Sequence, residues 1–183
     1  MSRGIGGHHQ PVEGRSNEWY TPPHVFEALG IDFDLDPCAP AGGLPWVPAK
    51  RFYSIEDDGL TQPWEGRVWL NPPYGPHTAA WLRRLAAHGH GIGLVFARTD
   101  TAWFHDTIVA ASAVCFVRGR LNFVPPEQRR ASNGTTSNAG APSLLVAYGD
   151  DCAEAIAQAG LGLTFAVRSR DLGGQGSLWE AAA

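Results

Sequence analysis

No apolar run in this 183-residue chain approaches the roughly 18 to 20 residues needed to cross a bilayer. Its opening, MSRGIGGHHQ, lacks the apolar core of a secretory signal. A membrane protein and a secreted one are both unexpected, and a cytoplasmic location is the expectation. Cysteine is scarce: Cys38, Cys115 and Cys152 are odd in number, far apart and never in a Cys-x-x-Cys pair. Neither a disulfide framework nor a structural zinc site follows from them, so free thiols are expected. Charge is also thin, at 17% of residues with a net value of −4, which argues against coating nucleic acid by bulk electrostatics. The chain has no internal repeat.

What is present suits one domain with a sizeable core: 44% of the residues are hydrophobic. The charge is unevenly distributed. Residues 1–75 hold five basic and ten acidic side chains, whereas residues 76–149 hold seven arginines (83, 84, 98, 118, 120, 129 and 130) against Asp100, Asp106 and Glu127. An acidic first third followed by an arginine-only basic middle suits a small-molecule site beside a phosphate-facing surface, although clustering on a solvated face produces the same pattern.

Residues 1–18 show no periodicity and are read as an arm, residues 19–172 as one domain and residues 173–183 as a tail. The run WYTPPHVFEALG predicts a short helix with Thr21 as N-cap, Pro22 at its first position and Gly30 at its end. IDFDLDP predicts a strand with Ile31, Phe33 and Leu35 on one face and Asp32, Asp34 and Asp36 on the other. KRFYSI is a second candidate strand. RVWL is a third, stopped at Asn71 by Pro72 and Pro73. TAAWLRRLAAHG reads as a helix with Ala80, Trp81, Leu82 and Leu85 on or near its buried side and Arg83 and Arg84 flanking, GIGLVFA as a buried strand, and TDTAWFHDTIVAAS as a helix capped by Thr99 or Asp100. Strands at AVCFVRG, PSLLVAYG and LTFAVRS and a helix at DCAEAIAQAG complete the pattern. Strands alternating with helices indicate an α/β sandwich on a mostly parallel sheet with an antiparallel edge.

Asn71-Pro72-Pro73-Tyr74 is the most informative tetrapeptide. Average composition yields such a string in roughly one chain of this length in a thousand. It stands directly behind an apolar strand, at the end where parallel sheets gather ligands. A proline-rich turn is the ordinary alternative. The chemistry that needs this pattern is alkylation of a planar amine. The lone pair of an exocyclic adenine amine is delocalised into the ring, so a catalyst must free it and stabilise the positive charge that grows on nitrogen. Two acceptors aimed at the amine hydrogens do so: the Asn71 side-chain carbonyl and the Pro72 backbone carbonyl. The prolines remove competing N–H donors and hold the preceding residues extended. Tyr74 is then placed to stack on the base, a contact worth roughly 1 to 3 kcal/mol and comparable to the cost of flipping a base.

The ordered segments WYTPPHVF, DLDPCAP, RFYSIEDDGL, VWLNPPYG, LVFARTDTAWFHD, CFVRGRLNF and GAPSLLVAYG resemble the phage-type DNA N-6-adenine methyltransferases, the small Dam-related enzymes of phages and prophages. The resemblance covers about residues 17–149. It implies S-adenosylmethionine-dependent transfer of methyl to the 6-amino group of adenine in DNA, on a Rossmann-like sheet, inside a bacterial host, with restriction-modification and regulation both open as its purpose. Asn71, Pro72, Pro73 and Tyr74 then match the catalytic motif. Asp36, Pro37, Cys38 and Ala39 match the first cofactor motif, with Asp36 facing the methionine part. Tyr20, Thr21 and Pro22 match the segment that closes over that part, and Asp57 or Asp58 the acidic residue that meets the adenosine.

The long polar stretch 118–140 is the candidate DNA-recognition loop, with Arg118, Arg120, Arg129 and Arg130 for phosphates and Asn122, Gln128, Asn133 or Asn138 for base edges. His88 and His90 form His-Gly-His without a third ligand at metal-binding spacing, so no metal is expected. Trp46, Trp64, Trp69, Trp81 and Trp103 read as packing residues, while Trp19 and Tyr20 stand beside the cofactor-like segment. RNA adenine, RNA guanine and protein glutamine present the same planar amine. CAPAGG has no clean Gly-x-Gly, which keeps open a binding module without catalysis. Oligomeric state is open, a monomer included.

Overall fold

The computed structural model describes residues 19–125, 137–138 and 140–168. The predicted arm (1–18), the tail (173–183) and most of the predicted recognition loop, with Gln128, Arg129, Arg130 and Asn133, lie outside these residues.

Among the described residues, nine strands and four helices follow one another as α1 (Pro23–Leu29), β1 (Phe33–Asp36), β2 (Ala49–Phe52), β3 (Val68–Leu70), α2 (Thr78–His88), β4 (Gly91–Phe96), α3 (Ala102–Ile108), β5 (Ala113–Val117), β6 (Asn122–Phe123), β7 (Ser137–Asn138), β8 (Ser143–Tyr148), α4 (Asp150–Gln158) and β9 (Gly162–Ala166). Seven strands form one sheet in the order β2-β1-β3-β4-β8-β5-β9, and β6 pairs with β7 separately. β2, β1, β3 and β4 are mutually parallel. β8 is antiparallel to both β4 and β5, and β9 is antiparallel to β5. Five of the seven strands therefore share one direction, but the antiparallel character is not confined to the edge as expected, because β8 lies inside the sheet.

Helices cover both faces, which is the α/β class the alternating pattern predicted. On one face Val25, Phe26 and Leu29 of α1 and Cys152, Ala155 and Ile156 of α4 pack on Phe33, Trp69, Ile92 and Leu94. On the other, Trp81, Leu82 and Leu85 of α2 and Phe104 of α3 pack on Val68, Leu70, Val95 and Val146. The alternation read in IDFDLDP breaks at Asp34. Both the Asp34 and the Leu35 N–H donate to the Arg67 carbonyl, at 2.7 and 3.3 Å, so the strand slips by one residue. Phe33 consequently enters one core and Leu35 the other. The Asp34 carboxylate pairs with Lys50 at 2.8 Å and accepts the Arg67 N–H at 2.8 Å, a structural tie across β1, β2 and β3.

Three expected helix details change. Thr21 is not the N-cap of α1: Pro22, extended at φ −70 and ψ 147 because a proline follows it, takes that place. The Thr21 hydroxyl, on a residue 2% exposed, has no hydrogen-bond partner among the described residues. Ala80 is exposed, and Thr78 takes its place on the buried side of α2. α3 is entered through Thr101 and not Thr99 or Asp100, since a tight turn brings the Thr101 N–H onto the Arg98 carbonyl at 3.1 Å. Gly30 ends α1 in the left-handed conformation as predicted. All three cysteines are free. No described helix is long and apolar enough to cross a membrane.

Candidate active site

In the sheet order, β1 connects outward to β2 while β3 lies on its other side and leads to β4. That reversal opens a crevice beyond the carboxyl ends of β1 and β3, where parallel sheets bind ligands. A cleft of about 510 Å³ lies there. Its wall comes from Trp19 and Tyr20 ahead of α1, from the turn Pro37–Pro40 after β1, from Ser54, Ile55, Asp58 and Gly59 after β2, from Asn71, Pro72 and Pro73 after β3, and from Trp81 of α2. Segments remote in sequence thus meet because their strands are neighbours in register: Phe33 faces Ala49 and Leu35 faces Val68.

The turn after β1 is held from within. Asp36 is 6% exposed, and its carboxylate accepts the Cys38 N–H at 3.0 Å. Burial pushes its carboxyl up to about 7, with the Cys38 hydrogen bond opposing. The Cys38 thiol is pushed well up by burial and by the Asp36 charge, which favours its protonated form. The loop after β2 presses directly on this turn. A Cβ on Gly59 would stand 2.1 Å from the Pro37 carbonyl oxygen, so only glycine allows the approach. Before it, Asp58 adopts a left-handed φ of 53°, a conformation aspartate tolerates better than most residues.

The two acidic candidates in EDDGL separate here. Asp57 is consumed locally, accepting the Ser54 N–H and hydroxyl at 2.8 and 3.0 Å. Asp58 is the one that lines the cleft, and its exposed carboxylate has no hydrogen bond among the described residues. Arg84 of α2 anchors the far side of this loop by donating to the Leu60 and Gln62 carbonyls, with its guanidinium 4.9 Å over the Trp64 ring.

At the end of β3, Asn71 Nδ2 donates to the Trp19 carbonyl at 2.6 Å, and the Tyr74 hydroxyl faces Asn71 Oδ1 at 3.4 Å. Thr78, the first residue of α2, donates its hydroxyl to the Pro73 carbonyl at 3.0 Å and accepts the Gly75 N–H at 3.1 Å, so the proline turn is stitched to the helix that follows. Tyr74, which the sequence places to stack on the base, is not among the residues that line the cleft. One face of its ring is covered by Phe96 of β4, with centroids 3.9 Å apart, and its edge meets Phe123 at 6.0 Å. Burial pushes its hydroxyl well above the usual tyrosine range, so it stays protonated.

Of the residues the sequence singled out, Tyr20, Pro37, Cys38, Ala39, Asp58, Asn71, Pro72 and Pro73 line the cleft, whereas Thr21, Pro22, Asp36, Asp57 and Tyr74 do not. Asp36 lies behind the Pro37–Cys38 turn because its carboxylate is drawn back onto that turn's own backbone. Ser54, Ile55, Gly59 and Trp81 were not singled out as site residues. Ile55, 87% exposed at the rim, carried a signal in being an apolar residue flanked by polar ones, but only the meeting of loops gives it a role. Arg118 and Arg120 are exposed just past the carboxyl end of β5, the same end of the sheet as the cleft. Asn122 and Asn138 are a cross-strand pair of β6 and β7.

The histidines are engaged elsewhere. His88 Nε2 bonds the Gly66 carbonyl at 2.8 Å, and His90 Nε2 lies 3.0 Å from the Asp151 carboxylate. His90, Asp151 and Cys152 are close enough to share a cation, yet Arg67 already donates to Asp151 at 2.5 Å and would repel one. Burial alone would raise the Asp151 carboxyl, but its bonds from His90 and Arg67 outweigh that and hold it well below the usual range.

No curated protein matches the chain, and no solved structure does. A family does: the crevice at the reversal of strand order and the Asn71-Pro72-Pro73 turn on its wall fall inside residues 8–150, which match the family described as DNA N-6-adenine-methyltransferase (Dam), and the chain belongs to that family.

Proposed function

We propose that this chain transfers a methyl group from S-adenosylmethionine to the 6-amino group of adenine within a specific DNA sequence, and that the cleft beside Asn71 is where the transfer occurs. The observation that carries the reading is the wall formed by Asn71, Pro72 and Pro73, which offers acceptors and, at both prolines, no N–H. The Asn71 carbonyl oxygen and the Pro72 carbonyl accept from the two amine hydrogens. They draw the lone pair out of the ring and stabilise the positive charge that grows on nitrogen. Trp19 and Trp81 exclude water from the same space.

The cofactor fits the residues present. At about 510 Å³ the cleft is within the range of sites that bury small-molecule ligands, and its lining combines apolar surface at Ile55, Pro37 and Trp81 with polar groups at Ser54 and Asp58. Tyr20, Pro37, Cys38 and Ala39 would hold the methionine part, with Asp36 behind the turn, while the Asp58 carboxylate would accept from a ribose hydroxyl or an adenine amine. When bound, S-adenosylmethionine supplies a methyl group on a positively charged sulfur, a ready electrophile. Arg118 and Arg120, with Arg129 and Arg130, would bind phosphates of the DNA from which the target base is turned out.

The test is transfer of labelled methyl from S-adenosylmethionine to unmethylated duplex DNA, with RNA in parallel, followed by nucleoside analysis. Label in 6-methyladenine of DNA, lost by at least a thousandfold in Asn71→Ala with cofactor affinity retained, is the expected result. Label in RNA alone would change the substrate, and absence of transfer to either polymer from folded protein would favour a protein amide substrate or a binding module.

A further inference from the structure

The Asn71 amide is oriented by a main-chain carbonyl from 52 residues upstream. Its Nδ2 lies 2.6 Å from the Trp19 carbonyl oxygen. A carbonyl oxygen can only accept, so it selects the NH2 end of the amide and turns Oδ1 the other way, where its described contact is the long one from the Tyr74 hydroxyl at 3.4 Å. The Trp19 carbonyl is itself held in place. The next residue, Tyr20, forms an antiparallel bridge with Val124, donating its N–H to the Val124 carbonyl at 3.0 Å and accepting the Val124 N–H at 2.9 Å. Val124 directly follows β6, whose Phe123 is fully buried with its ring against Tyr74. Val124, at the described start of the segment 118–140, therefore clamps the Trp19–Tyr20 backbone that orients the Asn71 side chain.

We propose that Trp19 is a positioning residue for methyl transfer: its carbonyl, braced by the Tyr20–Val124 bridge, sets the rotation of the Asn71 amide and dictates asparagine over aspartate at this position. This rests on the reading of Asn71 as the amine acceptor. An aspartate at 71 has the same shape, but at neutral pH it meets the Trp19 carbonyl with a second acceptor. The carboxylate then faces oxygen against oxygen and must rotate away from the alignment the amine needs.

The experiment uses the full chain, S-adenosylmethionine and unmethylated duplex DNA at pH 8, well above the ordinary carboxylate range. Asn71→Asp is expected to lose at least a hundredfold in kcat while its affinity for S-adenosylmethionine stays within about twofold of wild type. Val124→Pro, which deletes the N–H that bonds Tyr20, is expected to lower kcat at least tenfold at unchanged cofactor affinity. Val124→Ala, which keeps that N–H, is expected to match wild type. Independently of activity, one Asn71 side-chain amide proton should be shifted downfield in the proton–nitrogen spectrum of the wild type and return toward its free position in Val124→Pro. Asn71→Asp as active as wild type, with Asn71→Ala inactive, would overturn the positioning role and leave the catalytic reading intact. Activity retained in Asn71→Ala would overturn the catalytic reading itself. An unshifted Asn71 amide proton in the folded wild type would also overturn the positioning role, even if Val124→Pro fails to fold.

Discussion

Asp36 shows how a single buried side chain behind the cleft wall makes stability depend on pH. Its carboxyl, lifted by burial to about 7, binds a proton in the folded protein over a pH range where the unfolded chain has lost it. The unfolded state then holds fewer protons, so this group makes folding less favourable as pH rises from about 4 toward 7, with the full cost present above that. Asp36→Asn keeps the acceptor for the Cys38 N–H and removes the buried charge. It is expected to stabilise the protein more at pH 8 than at pH 5, by on the order of 2 kcal/mol in the difference, as read by thermal denaturation at both values. Weakened binding of S-adenosylmethionine in the same variant would mark Asp36 as a charge kept for its ligand; equal stabilisation at both pH values would refute the linkage. Asn71 differs in that its partner, the Trp19 carbonyl, was legible at no level of the sequence. The tetrapeptide could be singled out because its prolines and its place behind an apolar strand are local facts, whereas the hydrogen bond spans 52 residues.

At the level of elements, α2 serves the site twice. Its first residue, Thr78, fastens the Asn71-Pro72-Pro73 turn, and Arg84, two turns on, fastens the loop after β2. The apolar periodicity of TAAWLRRLAAHG announced the helix and three of its buried residues, while the two arginines read as flanking charge. Their difference is tertiary: Arg83 reaches Asp106 on the surface, and Arg84 reaches main-chain carbonyls of the cleft loop. Arg84→Ala is expected to cost about 2 kcal/mol of stability and to raise the KM for S-adenosylmethionine severalfold, as the loop bearing Ser54 and Asp58 loses its tether. Arg84→Lys should restore only part of either, because an ammonium cannot reach both carbonyls as a planar fork does. Denaturation and steady-state kinetics on the two variants check this, and an unchanged KM would exclude the tether. The slip at Asp34 has the same origin: the alternation in IDFDLDP was real, but pairing with Arg67 broke it.

At the level of the molecule, the seven-stranded sheet brings the carboxyl ends of β1, β2 and β3 together at the cleft and directs the end of β5 to the same side. Two arginines of the basic middle thereby reach the edge where a polyanion would approach, despite a net charge of −4. Arg118 and Arg120 are exposed there. Replacing both with alanine is expected to weaken DNA binding and to reduce the steepness of log affinity against log salt by about two, near 0.9 for each phosphate that is no longer neutralised. An unchanged slope, measured by titration at several salt concentrations, would remove them from the DNA surface.

The sequence alone determined the class of fold, most of the elements and the chemistry-bearing turn, because hydrophobic periodicity, capping glycines and proline positions act over a few residues. Family membership rested on the same linear order of motifs. Only the tertiary structure decided that β8 enters the sheet between β4 and β5, that Asp58 and not Asp57 reaches the cleft, that Asp36 lies behind its own turn, and that Tyr74 is covered by Phe96. Each of these depends on which remote segment occupies the neighbouring space, and burial and hydrogen-bond partners exist only once those segments have met.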